Sequence, residues 1–163
     1  MKLIPLTKGF FAKVDDEDFE RMSKFRWRVV RARKGTANPY ASRFNNPTRR
    51  TVLMHRELMN LPVYGPKVDH VDGDSLNNQK SNLRLASPVE NGRNRKLQNH
   101  SAPYKGVALN RISGKYQAYV CLDKKLKHLG CFETAEDAAL VYDYHANLHY
   151  GEFALTNRKM GLI

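Results

Sequence analysis

Short runs of alternating hydrophobic and polar residues dominate the first half of the chain, and they predict small strands and brief helices. Residues 9–14 have a strand-like pattern, and residues 25–30 alternate apolar with basic side chains, as in a half-buried strand with an arginine-rich face. Acidic residues at 15–18 favour a helix start, because negative charge stabilises the N-terminal end of a helix. Residues 55–59 predict another short helix, which ends before Pro62.

The segment 67–97 predicts the order strand, loop, strand, helix. Residues 68–70 have the pattern of a strand end, and residues 83–85 that of a second short strand. The connection between them is rich in Asp, Asn and Gly, which are typical of turns. The tetrapeptide 87–90, Ser-Pro-Val-Glu, then places Ser at the cap, Pro at the first position and Glu at the third position of a helix.

The last third of the chain predicts a three-stranded sheet backed by one helix. Strand-like runs cover residues 104–110, 115–122 and 126–132, and turn residues separate them. Thr134 is a helix cap followed by acidic residues and by alanines and aromatic residues at helical spacing. Gly151 is placed to end that helix.

These elements predict an α+β protein with two domains. Residues 1–97 would form the first domain, with a basic strand region near its N-terminus. Residues 98–103 would be a linker, and residues 104–163 the second domain. The length of 163 residues allows one ordinary domain or two small ones.

The charge of the chain points to a polyanionic partner. The net charge is +12, and residues 21–50 contain ten basic residues and no acidic one, with aromatic residues between them. Such a balance favours nucleic acid, although a solvated strand pair with an exposed basic face is the alternative. The candidate phosphate contacts in this stretch are Arg26, Arg28, Arg31 and Arg33.

Several other classes of protein are disfavoured. No apolar run approaches the roughly 20 residues of a membrane-spanning helix, and the N-terminal apolar stretch is too short for a signal peptide. Cys121 and Cys131 cannot build a disulfide framework or a four-cysteine zinc site. We therefore expect a reduced, cytoplasmic protein that does not bind membranes.

Three residues of the segment 67–97 offer the chemistry of phosphodiester cleavage. Asp69 and Asn91 supply hard oxygen ligands, which suit Mg²⁺ and also Mn²⁺ better than zinc. His70 can remove a proton from water near neutral pH. The set is weak by itself, and the strand–loop–strand–helix order around it strengthens the prediction.

The same segment resembles the HNH nuclease motif, in the form found in homing endonucleases of phages and introns. The matching residues are Val68-Asp69-His70-x-Asp72-Gly73-x-x-x-Asn77-Asn78-x-x-x-Asn82-Leu83-Arg84-x-x-x-x-x-x-Asn91, with the dipeptide His55-Arg56 upstream.

This resemblance implies a ββα-metal fold and a metal-dependent endonuclease acting on double-stranded DNA. Asp69 and Asn91 would bind one divalent ion, Mg²⁺ or Mn²⁺, and His70 would be the general base. Asn82 would hold the loop between the strands and so support the site. A monomer would nick DNA and a homodimer could cut both strands, in the host cell of a phage or mobile element.

The C-terminal segment resembles the DNA-binding domain of plant APETALA2/ethylene-response factors. The similarity lies in Tyr104-Lys105-Gly106-Val107, in Gly114-Lys115-Tyr116-Gln117-Ala118 and in the run from His128 to Asp143. In that family the sheet enters the major groove, so the resemblance implies a DNA-reading sheet here. The candidate DNA-binding residues are Lys105, Arg111, Lys115, Gln117, Tyr119, Lys125 and His128.

The first strand departs from the plant pattern, because residues 108–112 lack the several Arg and Trp side chains that read bases there. A target sequence cannot therefore be transferred. Two other functions remain open: a DNA-binding regulator with an inactive nuclease scaffold, and a general DNA-degrading nuclease. The presence of Asp69, His70, Asn82 and Asn91 together argues against the first, and the dedicated C-terminal segment against the second.

Overall fold

The computed structural model describes residues 1–31, 38–95 and 103–163. Two compact units, Met1–Asn91 and Gly92–Ile163, divide the chain. Both contain small antiparallel sheets and few helices, in agreement with the predicted α+β class. Most of the predicted linker, residues 98–102, lies outside the described residues.

The regular elements of the described chain are ten strands and four α-helices. Their bounds are β1 (Lys2–Pro5), β2 (Phe11–Val14), α1 (Asp16–Ser23), β3 (Arg28–Arg31), β4 (Pro39–Asn45), β5 (Arg50–Leu53), α2 (Met54–Leu58), β6 (Lys67–His70), β7 (Leu83–Ala86), α3 (Pro88–Arg93), β8 (Val107–Leu109), β9 (Tyr116–Leu122), β10 (Lys125–Phe132) and α4 (Ala135–Tyr150). None of the helices in these described ranges has the length and apolar character needed to cross a bilayer.

Three small sheets make up the first unit: the pair β1–β2, the sheet β3–β4–β5 and the pair β6–β7. Their inner faces and helices α1 and α2 enclose one core, whose largest fully buried side chains include Trp27 and Met22. The indole of Trp27 donates to the carbonyl of Met22 at 2.8 Å. The strand expected from residue 25 begins only at Arg28, because Trp27 turns into the core beside the end of α1.

The N-terminal elements fix the loop between β6 and β7, although about sixty residues separate them in sequence. The backbone of Lys13 on β2 pairs with this loop, donating to Leu76 and accepting from Asn78, both at 2.8 Å. The carboxylate of Asp15 accepts from the backbone N–H of Lys80 at 2.8 Å. The loop is therefore part of the first unit's framework and not a loose surface connection.

In the second unit, α4 packs on the sheet β10–β9–β8. Ala118 and Val120 of β9 are buried beneath the helix, whereas Gln117 and Tyr119 are only half-buried and lie on the opposite face. This alternation follows the two-residue period of a strand, in which successive side chains point to opposite faces. A bulge between His128 and Gly130 shifts the register of β10 against β9.

Two glycines set the limits of elements in the second unit. Gly106 has a φ of +76°, and a Cβ on it would lie 2.0 Å from Cδ2 of Tyr142, so no larger residue fits under α4 here. This turn explains why β8 begins at Val107 and not at the predicted residue 104. The predicted cap of α4 is confirmed, since the Thr134 side chain accepts from the Asp137 N–H, and Gly151 with φ +54° follows the helix.

Candidate active site

The site of interest lies where β6 ends. β6 pairs with β7 so that Asp69 is opposite Arg84 and His70 is opposite Leu83. The side chains of Asp69 and His70 are both buried, with relative exposures of 6%. Two adjacent ionisable residues are thus withdrawn from water at the edge of a two-stranded sheet, where ordinary strands place apolar residues.

Arg84 holds the carboxylate of Asp69. Its Nε and Nη2 both donate to Oδ2 of Asp69, at 3.0 and 2.7 Å. Both side chains are largely buried, at 12% and 7% exposure. A charge-assisted pair of this kind fixes the direction of the carboxylate as well as balancing its charge. This contact was not predicted from the sequence. The available signal was that the two predicted strands carry opposite charges, Asp69 and Arg84, at positions that can pair.

Asn82 ties the two ends of the loop together. Its Nδ2 donates to Oδ1 of Asp72 at 2.9 Å and to the carbonyl of Asn77 at 2.8 Å, and its Oδ1 accepts from the backbone N–H of Asp72 at 3.0 Å. Its own carbonyl accepts from Val71, the residue after His70, at 2.9 Å. The backbone on both sides of the loop is therefore anchored by one amide side chain.

Aspartates close the tight turn inside this loop. Asp72 accepts from the N–H of Asp74 at 2.8 Å, and Asp74 accepts from the N–H of Leu76 at 3.0 Å, as the turn assignment of both residues predicts. The hydrogen bonds to Asp72 also stabilise its ionised form, and its pKa is lowered despite the opposing effect of burial. Asp72 thus stays charged close to the end of β6.

His70 is surrounded by groups that oppose each other in their effect on its charge. Burial lowers the pKa of His70, while a hydrogen bond with the Asn78 side chain and the carboxylates of Asp72 and Asp69 act in the raising direction. The net shift is downward. His70 therefore stays in its neutral, proton-accepting form at neutral pH.

Two further rings lie against His70, and neither was assigned a role by sequence. The ring centroid of His55, on α2, lies 5.2 Å from that of His70 with the planes nearly perpendicular. Tyr40, on β4, lies 5.6 Å from His55 and 6.1 Å from His70. His55 is only 5% exposed, and burial lowers its pKa to about 3, with the charges of His70 and Arg56 adding to the effect.

Asn91, the other expected ligand, lies on α3. A reciprocal capping box starts this helix: the N–H of Ser87 donates to Glu90 at 2.7 Å, and the N–H of Glu90 donates to the Ser87 hydroxyl at 3.2 Å. The N–H of Asn91 donates to the carbonyl of Ser87 at 3.0 Å. Because β7 ends one residue before Ser87, the strand Leu83–Ala86 leads directly into the helix that carries Asn91.

Asp69 and Asn91 carry oxygen donors of the kind that hard divalent cations prefer. Within the described ranges, no group of three or more His, Cys, Asp or Glu side chains is arranged to hold a metal ion. A carboxylate and an amide oxygen from the chain, completed by water and phosphate oxygens, are the usual environment of Mg²⁺, which keeps several non-protein ligands. Asp69 and Asn91 offer these two oxygen types.

The basic residues of the first unit divide into exposed and structural ones. Arg26 and Arg28 are exposed, and among the described residues Arg28 forms a long contact of 3.5 Å with the Thr51 hydroxyl. Arg43 is instead structural, because its guanidinium lies over the Phe25 ring at 4.0 Å and forms two hydrogen bonds with Glu57. Arg33 lies outside the described residues, and of Arg31 only its backbone place in β3 is described.

The outer face of the second unit's sheet carries several of the predicted DNA contacts. Tyr119 donates to the Gln117 side chain at 2.9 Å, and its ring lies 5.2 Å from that of His128. Strand pairing places His128 opposite Tyr119, whereas Lys125 is opposite Leu122 and so lies on the other face. Two further candidates, Arg111 and Lys115, are exposed, and Lys115 pairs with Glu133 at 2.6 Å.

Lys105, one of the predicted DNA contacts, directs its ammonium group into the second unit. Its ammonium group donates to the carbonyls of Arg93, Arg95 and Leu155 at 2.7, 2.9 and 3.1 Å. Burial lowers the pKa of Lys105 to about 8. The three hydrogen bonds of the ammonium group thus join residues of the second unit that are far apart in sequence.

Comparison with known proteins found two relatives. A protein of Acanthamoeba polyphaga mimivirus, named an uncharacterized HNH endonuclease, is 28% identical over 156 residues, which are 93% of this chain and 76% of the relative. Protein 3.8 of Escherichia phage T7 is 32% identical over 100 residues, which are 60% of this chain and 82% of that protein. No protein-family model matches the chain, and no solved structure matches it significantly.

Proposed function

We propose that this chain belongs to the HNH nucleases and is a metal-dependent DNA endonuclease with a preference for particular sites. The similarity to a mimivirus protein named as an HNH endonuclease supports the family. The observation that carries the activity is the arrangement around β6. Asp69 and His70 lie at the end of a strand pair whose loop is tied by Asn82, and the pair leads into the helix of Asn91. This order of two paired strands and a helix supports the proposal of a ββα-metal site.

In the proposed mechanism, His70 removes a proton from the attacking water. Burial keeps the imidazole neutral and therefore able to accept that proton near pH 7, since it lowers the pKa of His70. The resulting hydroxide attacks the phosphorus, and the bond to the 3′ oxygen breaks. The departing 3′ oxygen takes a proton from solvent water, so that the products are a 5′-phosphate and a 3′-hydroxyl. The His70 ring would carry the proton on one of its nitrogens until solvent removes it.

Asp69 and Asn91 would hold the divalent ion, and Mg²⁺ is the cation their oxygens suit best. When bound, such an ion stabilises negative charge on the departing oxygen. The chain's own contribution is orientation. Arg84 fixes one oxygen of Asp69 through two hydrogen bonds, and Asn82 fixes the loop that follows His70.

DNA would be held by the exposed basic residues of the first unit and by the outer sheet face of the second. Arg26 and Arg28 supply charge for phosphate contacts, while Gln117, Tyr119 and His128 combine donors, acceptors and ring surfaces suited to base edges. The C-terminal unit would accordingly resemble the APETALA2 DNA-binding domain both in its sequence pattern and in binding DNA through its sheet. With phosphate contacts in the first unit and base contacts in the second, the enzyme would prefer particular DNA sites, as homing endonucleases do.

The deciding experiment is incubation of the purified protein with supercoiled plasmid and with genomic DNA, in Mg²⁺ and in chelator. We expect nicked or linear products only with the metal, and Mn²⁺ should replace Mg²⁺. His70→Ala should slow cleavage by about 10²- to 10⁴-fold, the usual contribution of a general base, while DNA affinity is kept. His149→Ala, an exposed position in the last turn of α4, is the matched control and should cleave normally. Cleavage by His70→Ala at the normal rate would remove it from the mechanism.

One observation favours a second candidate, a DNA-binding regulator whose nuclease fold is only a scaffold. The ion pair with Arg84 balances the charge of Asp69 without a metal, as an inactive relic would require. The same experiment separates the two functions. A regulator would bind a preferred duplex tightly and leave every plasmid intact in both metals.

A further inference from the structure

The rings of Tyr40, His55 and His70 form a cluster drawn from three different elements of the first unit. Tyr40 comes from β4, His55 from α2 and His70 from β6. The three centroid distances are 5.6, 6.1 and 5.2 Å, so each ring contacts both others. The edge-on angle of 88° between His55 and His70 is the geometry that aromatic pairs prefer.

Backbone and side chain of His70 are fixed by separate groups. Its carbonyl accepts from Gly73 and the following N–H donates to the carbonyl of Asn82, both at 2.9 Å, which sets the backbone. Those bonds leave rotation about the side-chain bonds to be set by what packs against the ring. His55 and Tyr40 supply that packing, and Asn78 is the hydrogen-bonding side chain beside the ring.

His55 suits this task because it brings no charge to the base. Burial holds its pKa at about 3, so the ring is neutral throughout the pH range in which a nuclease works. A lysine or a protonated imidazole in the same place would repel the proton that His70 must accept. The His55 ring provides a flat, uncharged packing surface of fixed orientation, since only 5% of His55 is exposed.

We propose that His55, together with Tyr40, is a positioning residue for His70, holding the plane of the imidazole at the angle from which it accepts the proton of the attacking water. The inference rests on the proposed endonuclease function, and it names a contributor to catalysis outside the strand–loop–strand–helix segment. His55 acts only through His70 and does not itself contact the substrate.

The first test compares the kinetics of His55→Ala, His55→Phe and Leu58→Ala. Leu58 is the control, because it is 2% exposed on the same helix and packs into the core without belonging to the ring cluster. We expect His55→Ala to lower kcat about 10- to 100-fold with KM unchanged, as misplacement of a catalytic group does. His55→Phe restores a flat, neutral ring and should recover most of kcat. Equal losses in His55→Ala and Leu58→Ala, or no rescue by His55→Phe, would overturn the proposal.

A double variant tests whether His55 works through His70. In the background of His70→Ala, the further change His55→Ala should leave the residual cleavage rate unaltered, since the group being positioned is already gone. A further decrease by the same factor as in the wild type would show that His55 acts independently. That result would reject the positioning role.

An NMR measurement keeps the test separate from nuclease activity. The Cε1–H resonance of His70 is identified by its absence in His70→Ala. At fixed pH it should shift and broaden in His55→Ala, and remain in place in Leu58→Ala. If the wild type fails to cleave DNA while this resonance behaves as expected, the proposed function fails and the positioning contact stands. An unperturbed resonance in His55→Ala would overturn the positioning role whatever the activity.

Discussion

At the scale of single residues, Arg84 decides how Asp69 presents its carboxylate. Two of its donors reach one oxygen of Asp69 in a site where both side chains are mostly buried. Outer groups that orient metal ligands commonly change metal affinity by about 10- to 100-fold when removed. We therefore predict that Arg84→Ala raises the Mg²⁺ concentration needed for half-maximal cleavage by about tenfold or more, as a metal titration of activity would measure.

Arg43→Ala is the matched control for this change. Arg43 also makes a largely buried, two-pronged ion pair, with Glu57 at 2.8 and 2.9 Å, but it joins β4 to α2 and does not touch Asp69. Removal of either arginine takes away one partner of a largely buried ion pair and should lower stability by about 3–5 kcal/mol. Only Arg84→Ala should change the metal requirement. An identical Mg²⁺ requirement in the two variants would separate Arg84 from the metal site.

At the scale of elements, the loop between β6 and β7 is organised by Asn82. Asn82→Ala removes three part-buried side-chain hydrogen bonds, which costs about 1–3 kcal/mol. We expect a lower melting temperature and a lower cleavage rate, with DNA binding retained. Asn38→Ala is the comparison, because Asn38 makes one exposed bond to the same loop, at Gly73, and its removal should change stability by less than about 0.5 kcal/mol. Similar melting and cleavage of both variants would contradict the anchoring role.

The elements also show what sequence could predict. Helix α4 was predictable because its start and end are local: Thr134 bonds to Asp137, and Gly151 follows the last turn. The order of β6, β7 and α3 was predictable for the same reason. The bulge in β10 and the three carbonyls around Lys105 were not, because they depend on residues brought together only by the folded chain. At the site, the spacing of the motif predicted Asp69 and His70 as functional residues. The contact of His55 with His70 could be seen only in the folded chain.

At the scale of the whole molecule, we predict that affinity and site preference depend on different residues. Changing Arg26 and Arg28 to Gln should weaken binding to all duplexes and reduce the slope of log affinity against log salt by about 1.8, because each phosphate that is no longer neutralised lowers the slope by roughly 0.9. Changing Gln117 and Tyr119 to Ala should reduce the ratio between preferred and random duplexes and leave the salt slope nearly unchanged. Binding titrations at several salt concentrations measure both quantities.

The control is Arg158→Gln, which removes one exposed charge near the end of the chain and belongs to neither set. It should alter neither the slope nor the ratio. If the Gln117 and Tyr119 variant keeps full discrimination, base reading belongs to the first unit, and the outer sheet face of the second unit serves another purpose.

The anchoring of the β6–β7 loop by Lys13 and Asp15 limits how this fold can be rearranged in evolution. The strand–loop–strand–helix segment carries the recognisable motif, yet its loop is held by backbone bonds and a carboxylate from the first fifteen residues. A recombination event that moved only residues 67–93 into another protein would transfer the signature without its support. The segment that must be inherited together for the site to keep its loop therefore begins at the N-terminal hairpin β1–β2.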